Sequence, residues 1–368
     1  MGGSSSSLSS SPPTPYYPQY EEWGTLPPKY IDLKRLHVGE YGKILKCLDL
    51  ETRDIVVIKM AVNNHDLSKE ASILKLLMEH HLGKENVVRY YHYISSYELI
   101  VFEKLDKNLM EYLDKREEPM RLQDIRIVIR QLAKTLESLR NIGVIHTDLR
   151  PENIMFVDQV CKPFNVKVVD FGMAIRTSDA PNTRMRRTPS FKAPELIMAL
   201  PYSEAVDVWS LGCVMAMMVF GFPLFPGSID YETLSYIIDI MGLPPDHLIN
   251  AARKATVYFK MTESKQWIFK TRREYWEAMC DTPDKRNYEF RNLDATKEMR
   301  LEDENMSEAE ERSDCIELLK AMLRWDEKER ITPTEILAHP FITRTYPGST
   351  SHIDTTTETR SRSPQPST

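Results

Sequence analysis

The sequence predicts an α+β protein of two lobes, a small β-rich N-lobe followed by a larger α-helical C-lobe. Three patterns predict it. Across residues 30–60 β-branched and apolar residues alternate, interrupted at Gly39 and Gly42; a period of two marks half-buried strands joined by a turn. Residues 66–80 repeat their apolar positions at helical spacing, with Ile73, Leu74 and Leu77 on one face, so one amphipathic helix is expected there. Residues 98–103 form a short apolar strand, and beyond them helices dominate. Ile125, Val128, Leu132, Leu136 and Leu139 give a second apolar face, closed by Gly143. A chain of 368 residues has the length for two such lobes, at roughly 150 residues per domain.

Composition narrows the function class. Hydrophobic residues make up 42%, too many for a disordered chain. The longest apolar run, from Leu211 to Phe220 with only Gly212 inside it, is far short of the roughly 20 residues a spanning helix needs. Five cysteines (Cys47, Cys161, Cys213, Cys280, Cys315) are scattered without a CxxC pair, against a disulfide scaffold or structural zinc. A net charge of -6 gives no support to direct nucleic-acid binding. The expectation is a soluble intracellular protein with no membrane span. Residues 1–29 are rich in Ser, Pro, Gly and Tyr and are expected to be a disordered tail. Residues 346–368, rich in Ser and Thr, are expected to be another. Met1, Gly2 and Ser6 match a myristoylation pattern. A single acyl chain without basic neighbours anchors weakly, so plain low complexity is the preferred reading.

The chemistry centres on Asp148, in Ile145-His146-Thr147-Asp148-Leu149-Arg150-Pro151-Glu152-Asn153. Asp170 follows in an apolar strand that ends in Asp170-Phe171-Gly172. Two carboxylates and an amide on neighbouring loops suit a magnesium–phosphate site, because Mg²⁺ takes hard oxygen ligands and phosphates supply most of them. Asn153 and Asp170 are the candidate metal ligands, leaving Asp148 to orient an attacking hydroxyl. An isolated Asp-Phe-Gly is usually only a turn; both segments at this spacing are specific. Lys59, in Val56-Val57-Ile58-Lys59, shares a strand face with Val57 and so points among apolar neighbours. A buried lysine needs an anion, and Glu70 lies on the inward face of its helix. Gly39 and Gly42, in a strand–turn–strand, would let backbone N–H groups approach phosphate oxygens. Two glycines in a hairpin are weak evidence alone.

Together these segments resemble a eukaryotic protein kinase from about Tyr30 to Phe341. The wording is similar to the homeodomain-interacting protein kinases of the CMGC group, relatives of the dual-specificity tyrosine-regulated kinases. The residues behind this are the stretch from Ile145 to Met155, Asp207-Val-Trp-Ser-Leu-Gly-Cys213, Gly221-Phe-Pro-Leu-Phe-Pro-Gly227, Gly242-Leu-Pro-Pro and His339-Pro340-Phe341. The resemblance implies a bilobal protein kinase-like fold over residues 30–345, with an N-lobe at 30–105 and a C-lobe at 106–345. It implies that Gly39 and Gly42 cover the phosphates of ATP and that Lys59 holds the α- and β-phosphates while pairing with Glu70. Phe102 stands at the gatekeeper position, and the backbone from Glu103 to Leu105 faces adenine. Ile44, Val57, Asn108 and Met155 complete the implied nucleotide pocket. Asp148 resembles the catalytic base, and Asn153 and Asp170 the Mg²⁺ ligands. Arg150 reaches toward the γ-phosphate, and Thr188 sets a hydroxyl against the catalytic aspartate. Glu195, in Ala193-Pro194-Glu195, would pair with Arg330, and Asp207 would brace the catalytic loop.

The sequence also departs from that pattern. His37 replaces the first glycine of the phosphate loop, and Val57 replaces the usual alanine. Arg150 stands where Ser/Thr kinases carry lysine, a cation of different geometry. Thr147 replaces the arginine before the catalytic aspartate. The family's activation-loop tyrosine aligns with Met185, and no tyrosine lies between Phe171 and Glu195. Arg184, Arg186 and Arg187 stand there instead, read either as selecting acidic substrates or as a solvated charge run. Lys192 keeps a base where the family has arginine. The expected activity is transfer of the γ-phosphoryl of Mg·ATP to Ser or Thr of protein substrates. The alternative is a pseudokinase that binds nucleotide or partners without catalysis. By resemblance, transcription regulators are among the expected partners, the residence is nucleus and/or cytoplasm, and the protein is a monomer. With residues 30–345 assigned to the catalytic domain, catalysis is expected rather than recruitment through an appended region.

Overall fold

The structure, a computed structural model, describes residues 25–39, 42–62, 65–84, 86–182, 188–276, 285–286, 288, 290, 292–297 and 306–344. Most of the first tail (1–24), the tail at 346–368, Arg184, Met185, Arg186, Arg187 and Cys280 lie outside them. The N-lobe runs β1 (Tyr30–Val38), β2 (Gly42–Asp49), β3 (Ile55–Ala61), α1 (Ser68–Glu79), β4 (Tyr90–Ile94) and β5 (Leu99–Glu103). Its strands form a five-stranded sheet in the order β1-β2-β3-β5-β4, antiparallel throughout. Strand β4 was not anticipated. Its Tyr90-Tyr91-His92-Tyr93 has no apolar alternation, because it lies at the sheet edge and is mostly half-buried.

Alternation along β3 divides the sheet into two faces. Val56, Ile58 and Met60 join Leu45, Cys47, Leu99 and Val101 in one small core. Ile100 and Phe102 on the opposite face join a larger core that includes Leu74 and Leu77 of α1 and continues into the C-lobe. Val57 and Lys59 take that second face, opposite Phe102 and Ile100 in the strand register. The β3 pattern therefore turns Lys59 toward the junction between the lobes.

The C-lobe continues with α2 (Leu109–Leu113), α3 (Leu122–Asn141), β6 (Val144–Ile145), β7 (Ile154–Asp158), β8 (Lys162–Val168), β9 (Ile175–Arg176), α4 (Pro194–Met198), α5 (Ala205–Phe220) and α6 (Asp230–Met241). The stripe Ile125, Val128, Leu132, Leu136 and Leu139 is buried, as its spacing predicts, and Gly143 takes φ +67 beyond the helix end. The apolar run from Leu211 lies in α5, buried at nearly every position. No helix among the described residues is long and apolar enough to cross a membrane. Two short antiparallel pairs, β6 with β9 and β7 with β8, carry the loops that hold the charged residues. Asn86 ties the lobes: its side-chain amide donates to Gln131 Oε1 and Val166 O, both at 2.8 Å.

Arg330 anchors α4 from below. Its wholly buried guanidinium donates to Glu195 Oε1 at 2.7 Å and Oε2 at 3.0 Å, and to the carbonyl of Ala205 at 2.8 Å. A bidentate buried pair is strong, and removing one partner strands the other charge. Arg330→Met is therefore expected to lower stability by about 3 kcal/mol, read from urea unfolding, with more of it returned by a second change at Glu195.

Candidate active site

Lys59 is the point where three elements meet. Its ammonium donates to Glu70 Oε2 of α1 at 2.7 Å and to Asp170 Oδ1, just beyond β8, at 2.8 Å. Glu70 is 3% exposed and Asp170 44%, so the second carboxylate is the one that faces the cleft. Burial opposes charge on Lys59, yet the two carboxylates hold its ammonium above the ordinary lysine range. Burial pushes Glu70 up against the pull of Lys59. Burial works the same way on Asp170, but there Lys59 wins and the carboxyl is held below its usual range. Helix α1 is positioned for this contact from the β4–β5 turn. Glu98 accepts the N–H of Leu67 at 3.3 Å and the hydroxyl of Tyr93 at 2.7 Å, fixing the helix start.

Asp148 sits after β6 in a loop built on Asp207 of α5. The Asp207 carboxylate accepts the backbone N–H groups of His146 (2.7 Å) and Thr147 (2.8 Å). His146 accepts the Asp148 N–H on Nδ1 at 3.2 Å, and its Nε2 lies 3.1 Å from the carbonyl of Val169. Its ring also meets Phe171 edge-on at 4.8 Å. Asn153 donates from Nδ2 to the Asp148 carbonyl (2.9 Å) and to Asp148 Oδ2 (3.0 Å). That orients its amide so that Oδ1 is left as an acceptor. Arg150 stands between two site residues, its Nε 3.4 Å from Asp148 Oδ2 and one terminal nitrogen donating to Thr188 Oγ1 at 3.2 Å. The Asp148 carboxylate and the Thr188 hydroxyl are thus joined through this guanidinium.

The residues expected around a nucleotide line up along the cleft side of the sheet. Ile44 lies opposite Lys59 in the β2–β3 register, and Val57 opposite Phe102 in β3–β5; Ile44 and Val57 are half-buried and Phe102 is buried. Gly39 closes the β1–β2 turn by donating to the carbonyl of Gly42 at 2.9 Å. A Cβ on Gly42 would stand 3.0 Å from the Met60 carbonyl and 3.2 Å from Lys59 Cγ, so a side chain there would crowd the start of β2 against Lys59. In the segment joining the two lobes, residues 103–105 (the hinge), the Glu103 N–H is already bonded to the carbonyl of Arg89, while the backbone of Leu105 has no such partner among the described residues. Asn108 uses its side chain to cap α2, accepting the Glu111 N–H at 2.8 Å, and its backbone bridges Met155.

One supporting residue, Lys167, carries no signal in the sequence that places its partner. Lys167 of β8 is buried and bonded to Glu103, whose carboxylate also takes the Arg89 N–H at 2.6 Å, so the hinge is tied to the strand that ends at Asp170. A lysine inside an apolar strand signals a hidden counter-charge, but not where it comes from. Lys192, expected to keep a base beside the site, is buried with its ammonium bidentate on Asp230 of α6 at 2.8 and 2.9 Å.

The donor set fits a phosphate-bridged magnesium ion. Asp170 presents a half-exposed carboxylate held in its charged form, and Asn153 an oriented amide oxygen. No cluster of three or more His, Cys, Asp or Glu able to hold a metal occurs among the described residues; an ion that shares phosphate oxygens needs fewer protein ligands. The Arg150 Nε is buried and makes no hydrogen bond among the described residues, lying 3.4 Å from Asp148 Oδ2.

Removing Lys59 has a pH signature. In Lys59→Met, Glu70 loses the ammonium that lowers its pKa and keeps burial and Asp170, which raise it. A carboxyl raised above its unfolded value of 4.5 binds more protons folded than unfolded, so its variant gains stability as pH falls. The stability deficit of Lys59→Met against the parent is expected to shrink as pH falls from 7.5 to 5.5 in urea unfolding, and a deficit that stays constant or widens would contradict it.

Comparison with known proteins agrees with this geometry. The family model for the protein kinase domain matches residues 30–342. Homeodomain-interacting protein kinase 2 of Mesocricetus auratus is 37% identical over 89% of this chain and 30% of its own length. Homeodomain-interacting protein kinase 1 of Rattus norvegicus is 35% identical over 89% of this chain and 28% of its own. Homeodomain-interacting protein kinase 4 of Mus musculus is 35% identical over 85% of this chain and 55% of its own. The chain thus spans about a third or less of the first two relatives and about half of the other. With a matching family model over most of its length and an α+β bilobal architecture, this chain belongs to the protein kinase family.

Proposed function

We propose that this chain transfers the γ-phosphoryl group of ATP to serine and threonine hydroxyls of protein substrates. The observation that carries this reading is Lys59 held between Glu70 and Asp170, with Asp148 tethered to Asn153 and Arg150 nearby. In the reaction a substrate hydroxyl oxygen bonds to the γ-phosphorus, the bond to the bridging β–γ oxygen breaks, and ADP leaves. Asp148 takes the hydroxyl proton, and its carboxylate is aimed by the Asn153 amide and the Arg150 guanidinium. Lys59 would hold the α- and β-phosphates, its charge maintained by two carboxylates. Arg150 would meet the charge developing on the transferred group. Asn153 and Asp170 would hold Mg²⁺, which neutralises phosphate charge when bound.

The Thr188 hydroxyl, which accepts from Arg150, stands where serine/threonine kinases set a hydroxyl against the catalytic aspartate, and this resemblance supports serine/threonine targets. The alternative, a binding module without catalysis, draws on His37 and Val57. The intact pairs of Lys59 weigh against it. The relatives' names state interaction with homeodomains, so a homeodomain protein is the first substrate to try, and nuclear and/or cytoplasmic residence belongs to the same proposal.

Purified protein with Mg·ATP and a generic basic substrate tests the reading. Asp148→Asn is expected to lose roughly 10²- to 10⁴-fold in kcat with its fold retained, and Lys59→Met is expected to lose most incorporation as well. Phosphoamino-acid analysis is expected to give phosphoserine and phosphothreonine. Incorporation by the parent no greater than in the variants sinks the enzyme reading.

A further inference from the structure

Strands β6 and β9 pair over only two positions, Val144 with Arg176 and Ile145 with Ile175. The same register continues at one end through the Thr177 N–H, which donates to the Gly143 carbonyl at 2.9 Å. Carried two residues past Ile145 and Ile175, it brings Thr147 opposite Met173. There the backbone leaves the ladder: Thr147 turns to φ +73, and its N–H goes to Asp207. The side chain takes over. Thr147 Oγ1 donates to the Met173 carbonyl at 2.6 Å, making by hydroxyl the contact the main chain no longer makes.

Three features separate this contact from an ordinary surface threonine. Thr147 is wholly buried, so its hydroxyl must be bonded inside the protein. A β-branched residue at positive φ is strained, and such a conformation persists only where surrounding bonds impose it. Its neighbours in sequence are the reacting ones, since Asp148 follows Thr147 directly and Asp170, itself at φ +60, lies three residues before Met173. Both groups of the contact are uncharged, so its formation depends on no charge added elsewhere in the segment.

We propose that Thr147 is a positioning residue whose hydroxyl latches the segment after Asp170 to the catalytic loop, holding Asp148 and Asp170 in register without a charged or phosphorylated partner. The functional half of this rests on the kinase reading above; the latch itself does not. Thr147→Val keeps the branched shape and removes the hydroxyl, while Thr147→Ser keeps the hydroxyl.

Amide hydrogen exchange over residues 171–182 reads the latch, and steady-state kinetics read its use. Thr147→Val is expected to speed exchange about tenfold and lower kcat about tenfold, with KM for ATP within about twofold of the parent. Thr147→Ser is expected to recover both to within about threefold. Phosphatase treatment of the parent is expected to leave kcat unchanged. Should Thr147→Val fail to fold, Thr147→Ala gives the same exchange reading without a buried methyl in the hydroxyl's place. Parent-like exchange in the hydroxyl-less variant overturns the latch, and so does Thr147→Ser as defective as Thr147→Val. A raised KM with kcat intact overturns the positioning role, and loss of kcat on phosphatase treatment overturns independence from phosphate. An inactive parent with faster exchange in Thr147→Val would uphold the latch and overturn the kinase reading.

Discussion

The ammonium of Lys59 is the constraint on which the rest of the structure depends. A buried cation must be neutralised, and here two carboxylates from separate elements do it, Glu70 from α1 and Asp170 from the end of β8. Both cannot reach it unless the sheet, the helix and the second lobe are correctly placed. One charge therefore fixes the relation of three elements. Glu98 sets the start of α1, Asn86 ties the following segment to α3 and β8, and Lys167 ties β8 to the hinge. Each of these is a polar contact, made where apolar packing alone would let elements slide.

The loop that carries Asp148 is governed by a second constraint, backbone strain. Thr147 and Asp170 both stand at positive φ, a conformation that costs a non-glycine residue of order 1–3 kcal/mol. The loop is held there by bonds from outside it: Asp207 accepts two of its N–H groups, His146 reaches the Val169 carbonyl, and Thr147 reaches Met173. Asp148 is then aimed by Asn153 and Arg150, and its side chain is left half-buried. Part of the precision at this one carboxylate comes from Asp207 and His146, which brace its loop through backbone N–H groups.

Much of this was legible in the sequence. The strand pattern of residues 30–60, the apolar stripes of α1 and α3, and the facing of Lys59 and Glu70 follow from periods of 2.0 and 3.6. Asp148, Asn153 and Asp170 were legible through their spacing. Strand β4 was not, because an edge strand with one weakly buried face leaves little hydrophobic signal. Lys192 was read as a cation beside the site and instead spends its charge on Asp230, thirty-eight residues away in sequence. The side chain of Asn108 caps α2 while its backbone bridges Met155, a pairing that spacing alone does not record.

What the sequence determined by itself is thus the local pattern and the inventory of chemical groups: which faces are apolar, where turns fall, and which carboxylates and cations are available. Those depend on neighbours within a turn or a strand, and periodicity records them. Which charge meets which was decided only by the tertiary structure. The partners of Lys59, Lys167, Lys192, Thr147 and Arg330 come from distant elements, and an ion pair or hydrogen bond is decided at about 3 Å, a distance no local pattern encodes.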